Sequence, residues 1–276
     1  MALIQVNYLS QALFRTVPVQ VILPCDRITP GSRSYSMQED TKFPTLYLLH
    51  GLLGNYTDWV SGTRIQRWAE QRGLAVVMPS GDNAFYMDGP LPYSRYGEFI
   101  SRELVEMTRL MFPLSRRRED TFIAGLSMGG YGALVNAMVA PDVFSHAAGL
   151  SSALSLLEPS LKPVASENHI FGDPEKARGT DRNPDVALQH LTEKVHAGQT
   201  QFPRFYMACG LQDGLLGVNR RFSDSLVRAG ADVTYVEEDG GHEWDFWDRQ
   251  IHAVLDWLPL SSGEAGLSSG HVTRDS

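Results

Sequence analysis

The sequence predicts an α/β protein built on one mostly parallel sheet of about eight strands, with helices on both faces. Three observations point there. Short, nearly continuous apolar runs recur along the chain, segments of helical periodicity alternate with them, and 276 residues with 43% hydrophobic content suffice for one large core.

Taken in order, residues 3–9 and 17–23 alternate in part between apolar and polar positions across a short polar stretch. They predict a pair of antiparallel edge strands. Residues 24–43 carry Pro30, Gly31 and several serines and predict a surface loop. Residues 44–50 (PTLYLLH) and 74–78 (LAVVM) have the pattern of strands covered on both faces. Between them Ile65, Trp68 and Ala69 stand at helical spacing, and Gly73 offers a stop. A helix over 97–112 follows from Ile100, Leu104, Met107 and Met111. The apolar strand 121–124 runs into GLSMGGYGALVNAMVA, whose second half reads as a buried helix. Further strands are expected at 144–150, 205–209 and 233–236, with a helix over 218–229 between the last two. A helix over 243–258, striped by Phe246, Trp247, Ile251, Val254 and Leu255, closes a single domain spanning 1–260.

Two segments depart from this alternation. Residues 151–202 contain Pro159, Pro163, Pro174 and Pro184 among charged residues, too irregular for one crossover helix, and read as an insertion placed to cap a site at the strands' C-terminal ends. Residues 261–276, rich in Ser and Gly, read as a disordered tail.

Composition excludes several roles. A net charge of -8 argues against nucleic acid as a partner. No apolar stretch reaches membrane-spanning length, and the N-terminus has no basic run followed by an apolar core, so a cytoplasmic location is expected. Cys25 and Cys209 fit no zinc spacing and are expected as buried free thiols. No metal and no cofactor is expected, and homo-oligomer formation is left open.

The chemistry concentrates in a few loops. Gly125-Leu126-Ser127-Met128-Gly129 fits Gly-x-Ser-x-Gly, with an apolar strand before it and a helix after it. In that setting the serine stands on a sharp turn at a helix N-terminus, exposed for nucleophilic attack. Serine needs a base and a carboxylate to orient it, in the order Ser, acid, His. His242 in GGHEW fits best, because it follows the last strand and precedes the closing helix. Asp213 in GLQDGLLG follows the preceding strand in the same way, so the two loops should emerge side by side. Asp181, Asp185, Asp239 and Glu243 are its competitors. An acyl-transfer site also needs donors for a developing oxyanion. The Met128 amide, just after the serine, is one candidate. The loop HGLLGN offers Leu52 as the other, in preference to Leu53. Trp59, Phe85, Tyr86 and Trp244 lie near the expected loops and are the candidates for an acyl pocket.

The set YLLHGLLGNYTDW, AVVMPSGDNAFYMD, TFIAGLSMGGYGA, GLQDGLL and GGHEWDFWDRQI resembles the α/β-hydrolase family of tributyrin-type esterases and S-formylglutathione hydrolases, the esterase D group. The resemblance covers most of residues 3–258. It implies the α/β-hydrolase fold, a triad of Ser127, Asp213 and His242, oxyanion donors at Leu52 and Met128, and a small-molecule ester as substrate. The expected activity is hydrolysis of short-chain esters, acetyl or butyryl, with aryl and cinnamoyl esters left open, through an acyl-enzyme on Ser127. S-formylglutathione hydrolases usually carry a Cys in the oxyanion loop and a His shortly after the nucleophile. This chain has HGLLGNYTDW and Tyr131 there and is closer to the tributyrin-esterase branch. The alternatives are a thioesterase such as S-formylglutathione hydrolase, an acyltransferase using the same residues, and a non-catalytic binding protein on a hydrolase scaffold.

Overall fold

The computed structural model describes residues 1–26, 41–157 and 172–260. The tail expected over 261–276 and most of the loop expected over 24–43 lie outside the described residues. Strands β1 (Ala2–Ser10) and β2 (Arg15–Leu23) form the antiparallel hairpin. β3 (Thr45–Leu49), β4 (Ala75–Pro79), β5 (Thr121–Leu126), β6 (His146–Leu150), β7 (Arg204–Gly210) and β8 (Val233–Glu238) complete one eight-stranded sheet in the order β1-β2-β4-β3-β5-β6-β7-β8. All pairings from β4 to β8 are parallel, as expected. Of the two hairpin strands expected at the edge, β1 lies there and β2 is interior, because β2 also pairs antiparallel with β4.

The central strands are almost wholly apolar because both their faces are covered. In β3, Tyr47 and Leu49 point into one core while Leu46 and Leu48 point into the other, as the period of two requires. On the second face α1 (Asp58–Gly62) and α2 (Ile65–Gln71) adjoin the closing helix α9 (Trp244–Trp257), which buries Phe246, Trp247, Ile251, Val254 and Leu255. Gly73, with φ +61, ends the α2 segment in the left-handed region expected of a helix stop.

The first face carries α5 (Met128–Val139), α7 (Pro184–His196) and α8 (Leu216–Arg228). α7 belongs to the segment read as an irregular insertion. It is nevertheless a regular crossover helix, started by Asn183, whose side chain accepts the Asp185 amide at 3.1 Å, and by Pro184 in its first turn. Its Ala187, Leu188 and Leu191 are buried, and a short helix α6 (Pro174–Ala177) precedes it. Residues 158–171 of the same segment lie outside the described residues.

The helix expected over 97–112 has three parts: α3 (Tyr96–Glu98), a π-helical stretch Phe99–Glu103, and α4 (Leu104–Met111). The wider π turn brings Phe99 and Ile100 to the same buried side as Leu104, Val105 and Thr108, while Met111, the last residue of α4, is exposed where the helix ends. Thr108 is accepted in the core because its hydroxyl bonds the Tyr47 hydroxyl at 2.9 Å and the Leu104 carbonyl at 2.7 Å. Both cysteines are free. Cys209 is buried, and burial, with the Asp213 carboxylate nearby, pushes its thiol up to about 12, whereas Cys25 is only partly buried.

The order reverses around β3, whose neighbours β4 and β5 extend the sheet in opposite directions. A crevice therefore opens at the C-terminal ends of β3 and β5, with the ends of β7 and β8 beyond β6. At this point the backbones are packed without room for side chains. A Cβ on Gly125 would overlap the backbone of Gly129, and one on Gly129 would stand 2.6 Å from the His50 carbonyl oxygen. We expect Gly125→Ala to destabilise the protein by about 2 kcal/mol or more, read from the urea unfolding midpoint. An unchanged midpoint would show that β5 and α5 can separate freely.

Candidate active site

Ser127 joins the buried strand β5 to α5 with φ +52 and ψ -114, a conformation costing of order 1–3 kcal/mol for a residue with a side chain. Its surroundings hold it there. The Ser127 amide donates to the Leu150 carbonyl at 2.8 Å, and its carbonyl accepts from Tyr131 at 3.0 Å and Ala153 at 3.1 Å. The strained turn points the hydroxyl outward at the helix N-terminus, partly exposed.

The loops after β7 and β8 are tied to each other by their backbones. Leu211 N–H donates to the Glu238 carbonyl at 2.8 Å, Gln212 N–H to the Gly240 carbonyl at 3.1 Å, and Gly240 N–H to the Gln212 side chain at 2.7 Å. Gly210 and Gly240 approach so closely that a Cβ on Gly210 would overlap the Gly240 carbonyl, and Gly240 takes φ +146. This lacing brings Asp213 and His242 together. His242 Nδ1 lies 2.9 Å from Asp213 Oδ2, and His242 Nε2 lies 3.0 Å from Ser127 Oγ.

The Asp213 side chain is 1% exposed, that of His242 39%. Burial alone would raise the Asp213 carboxyl. Hydrogen bonds from His242, the Leu215 amide at 2.9 Å and the Ser151 hydroxyl outweigh it, and hold the group below the usual carboxylate range. An ionised carboxylate only accepts, so Nδ1 carries the proton and Nε2 is left to accept from the Ser127 hydroxyl. The hydroxyl can thus lose its proton to the imidazole as it attacks an electrophilic carbon.

The competing acids are engaged elsewhere. Asp181 pairs with His190 at 2.7 Å, the Glu243 carboxylate accepts the Gly241 amide at 3.0 Å, and Asp239 faces the Gln212 side chain at 3.5 Å. Asp185 stands in the first turn of α7.

Leu52 lies in a turn closed by Gly54 N–H to the Gly51 carbonyl at 3.2 Å. Leu53, the alternative donor, gives its amide to Asn83 Oδ1 at 2.8 Å. Among the described residues the amides of Leu52 and Met128 have no acceptor and are free to bind one. His50 secures the base of the turn. Its Nδ1–H donates to the Gly51 carbonyl at 2.7 Å, and its Nε2 accepts the Gly81 amide at 2.9 Å. Burial lowers the His50 pKa and so keeps the neutral form this pattern requires.

The four aromatic pocket candidates divide, and three of them need correction. Trp59 is 1% exposed with its indole N–H on the Leu49 carbonyl at 3.0 Å, and Tyr86 is fully buried with its hydroxyl on the His50 carbonyl at 3.0 Å. Phe85 is buried edge-on against Tyr131. All three rings are buried, and Trp59 and Tyr86 bond backbone carbonyls at the end of β3. Trp244 alone is partly exposed, packed against Gly62 and edge-on to Trp59 at 5.6 Å.

Two supporting residues have no signature in the sequence. Trp247 meets the His242 ring edge-on at 4.9 Å and donates its indole N–H to Ser151 Oγ at 3.1 Å. Ser151, with φ +47, is the residue that also bonds Asp213. A helix-stripe pattern marks Trp247 as core, which it is, and its contact with His242 exists only in the fold.

Comparison with known proteins adds a consistent set of likenesses. The model of the family described as "Putative esterase" matches residues 10–258. An acetyl esterase of Caldicellulosiruptor saccharolyticus is 38% identical over 267 residues, 94% of this chain and 98% of that protein. Two Staphylococcus aureus structures superpose with TM-scores of 0.79 at 32% identity, each over 93% of this chain and 98% of its own. One is fluorophosphonate-binding serine hydrolase F with substrate bound, the other an S-formylglutathione hydrolase apoenzyme.

The depressed Asp213 carboxyl has a signed consequence for stability. Because its folded pKa lies below the unfolded value of about 3.9, its contribution is complete above that value and is lost as pH falls through the folded one. The stability gap between wild type and Asp213→Asn, measured by urea unfolding, should therefore narrow as pH falls from about 5 to about 2. A gap that widens on acidification would contradict the assignment.

Proposed function

This chain belongs to the esterase family and is a carboxylic ester hydrolase, and we propose that it acts as a serine esterase through an acyl-enzyme on Ser127. The observation that carries the proposal is the unbroken hydrogen-bonded chain from Ser127 Oγ to His242 to buried Asp213, set on a strained turn.

In this reading Ser127 Oγ attacks the ester carbonyl while His242 Nε2 takes its proton. Asp213 keeps the other nitrogen protonated and stabilises the imidazolium as it forms. The charge that develops on the carbonyl oxygen is received by the uncommitted amides of Leu52 and Met128, such donors being worth about 3 kcal/mol each. His242 then returns its proton to the leaving alcohol, breaking the ester C–O bond. Water, deprotonated by the same histidine, attacks the acyl-enzyme and releases the acid and free Ser127.

Short acyl esters are the proposed substrates, acetyl first, following the acetyl esterase relative at 38% identity. A thioester substrate is the second reading, favoured by the S-formylglutathione hydrolase among the similar structures. Comparing kcat/KM for acetyl, butyryl, octanoyl and feruloyl esters with that for a glutathione thioester decides between them.

Ser127→Ala should lower hydrolysis of p-nitrophenyl acetate by at least about 10⁴-fold with an unchanged thermal midpoint. A fluorophosphonate probe, by analogy with the Staphylococcus aureus neighbour, should label the wild type on Ser127 and leave Ser127→Ala unmodified by mass spectrometry. Wild-type turnover in the variant, or a label on another residue, would end the assignment.

A further inference from the structure

We propose that Asn83 is a positioning residue for the oxyanion site, acting through the turn that presents the Leu52 amide. This rests on the reading of Leu52 as a donor. The turn Gly51-Leu52-Leu53-Gly54 has Leu53 at its third position with φ +65. That is the conformation of a type II turn, where Gly is normally found because a Cβ is disfavoured. Leu53 is also 85% exposed, so no packing of its side chain compels the conformation.

Rotation of the Leu52–Leu53 peptide would bring Leu53 to the negative φ that leucine prefers, converting the turn to type I. It would also turn the Leu53 N–H away and swing the Leu52 carbonyl round, and a turn no longer tied to Asn83 is free to shift the Leu52 N–H with it. Against that rotation stands the hydrogen bond from Leu53 N–H to Asn83 Oδ1 at 2.8 Å. Asn83 thereby selects one of the two turns open to this sequence.

The acceptor is itself fixed in advance. Immediately before it, Gly81 donates its amide to His50 Nε2 at 2.9 Å. Asp82, held at φ +46, takes the Arg15 guanidinium and the Tyr96 hydroxyl on its carboxylate, and Arg15 also donates to the Tyr96 hydroxyl at 3.0 Å. The loop after β4 is thus anchored on both the strand hairpin and α3 before it reaches Asn83. Its side-chain oxygen is offered from a rigid base, and the bond removes Leu53 N–H from competition while leaving Leu52 N–H uncommitted. Because Asn83 is exposed, its replacement leaves no cavity in the core.

Asn83→Leu keeps the approximate shape and removes the acceptor. With p-nitrophenyl acetate we expect kcat to fall about tenfold to a hundredfold, since donors displaced by about 1 Å lose most of their effect. KM should stay within about twofold and the thermal midpoint should not move. Affinity for an acyl trifluoromethyl ketone, which forms a tetrahedral oxyanion on the serine, should weaken by the same factor as kcat/KM. A kcat within about twofold of wild type, or a loss carried by KM with ketone affinity unchanged, would overturn the role of Asn83. Assaying Ser127→Ala alongside separates the two levels. An inactive Ser127→Ala beside a fully active Asn83→Leu refutes only the positioning role, whereas turnover surviving in Ser127→Ala refutes the nucleophile assignment beneath it.

Discussion

The close approach of three backbones around Gly125 and Gly129 is the constraint from which the rest of the site follows. β5 ends against α5 with no room for a Cβ, and α5 begins against the Leu49 and His50 carbonyls at the end of β3. The turn between them can be this sharp only where glycines flank the serine. The same compression that strains Ser127 also places the Met128 amide at the start of α5 and the Leu52 turn at the end of β3 on either side of one crevice. The proposed nucleophile and the two proposed carbonyl-oxygen donors are thus positioned by strand and helix packing, with the loops supplying detail.

Much of this was legible in the sequence because the central strands are covered on both faces. A doubly buried strand must be apolar at every position, so PTLYLLH, LAVVM and FYMAC announce themselves without any need to guess a phase. The loops at their C-terminal ends could then be matched in order, and Ser127, Asp213 and His242 meet in the structure as that order expects. The helices were harder. A strict helical period cannot foresee the π turn at Phe99–Glu103, and it places Met111 inward although the helix ends there and leaves that side chain exposed. The helix Pro184–His196 was hidden by the prolines around it, although Asn183 followed by Pro184 is a helix-start signal in its own right.

What escaped the sequence was burial that depends on partners far along the chain. Trp59, Phe85 and Tyr86 lie near the site loops in sequence but are buried, because each satisfies its polar atom or packs against another element. Tyr86 reaches the His50 carbonyl, so an aromatic ring that looks like a substrate contact is a prop for the end of β3 and the turn that follows it. Ser151 and Trp247 are likewise meaningful only together, one bonding the buried carboxylate while the other steadies the imidazole. Such residues are ordinary in sequence and become specific through tertiary contact.

The lacing of the β7 and β8 loops makes the site tolerant of change elsewhere. Asp213 and His242 are carried by neighbouring parallel strands whose loops bond backbone to backbone, so their separation is set by the spacing of about 4.8 Å between adjacent strands. Of the 28 residues between them, β8 and the loop through Gly240 set that distance, whereas α8 and the turns on either side of it only complete the crossover. A lineage could lengthen, shorten or recharge the outer surface of this crossover, and thereby change what the protein meets in solution, while Asp213 and His242 stay in register.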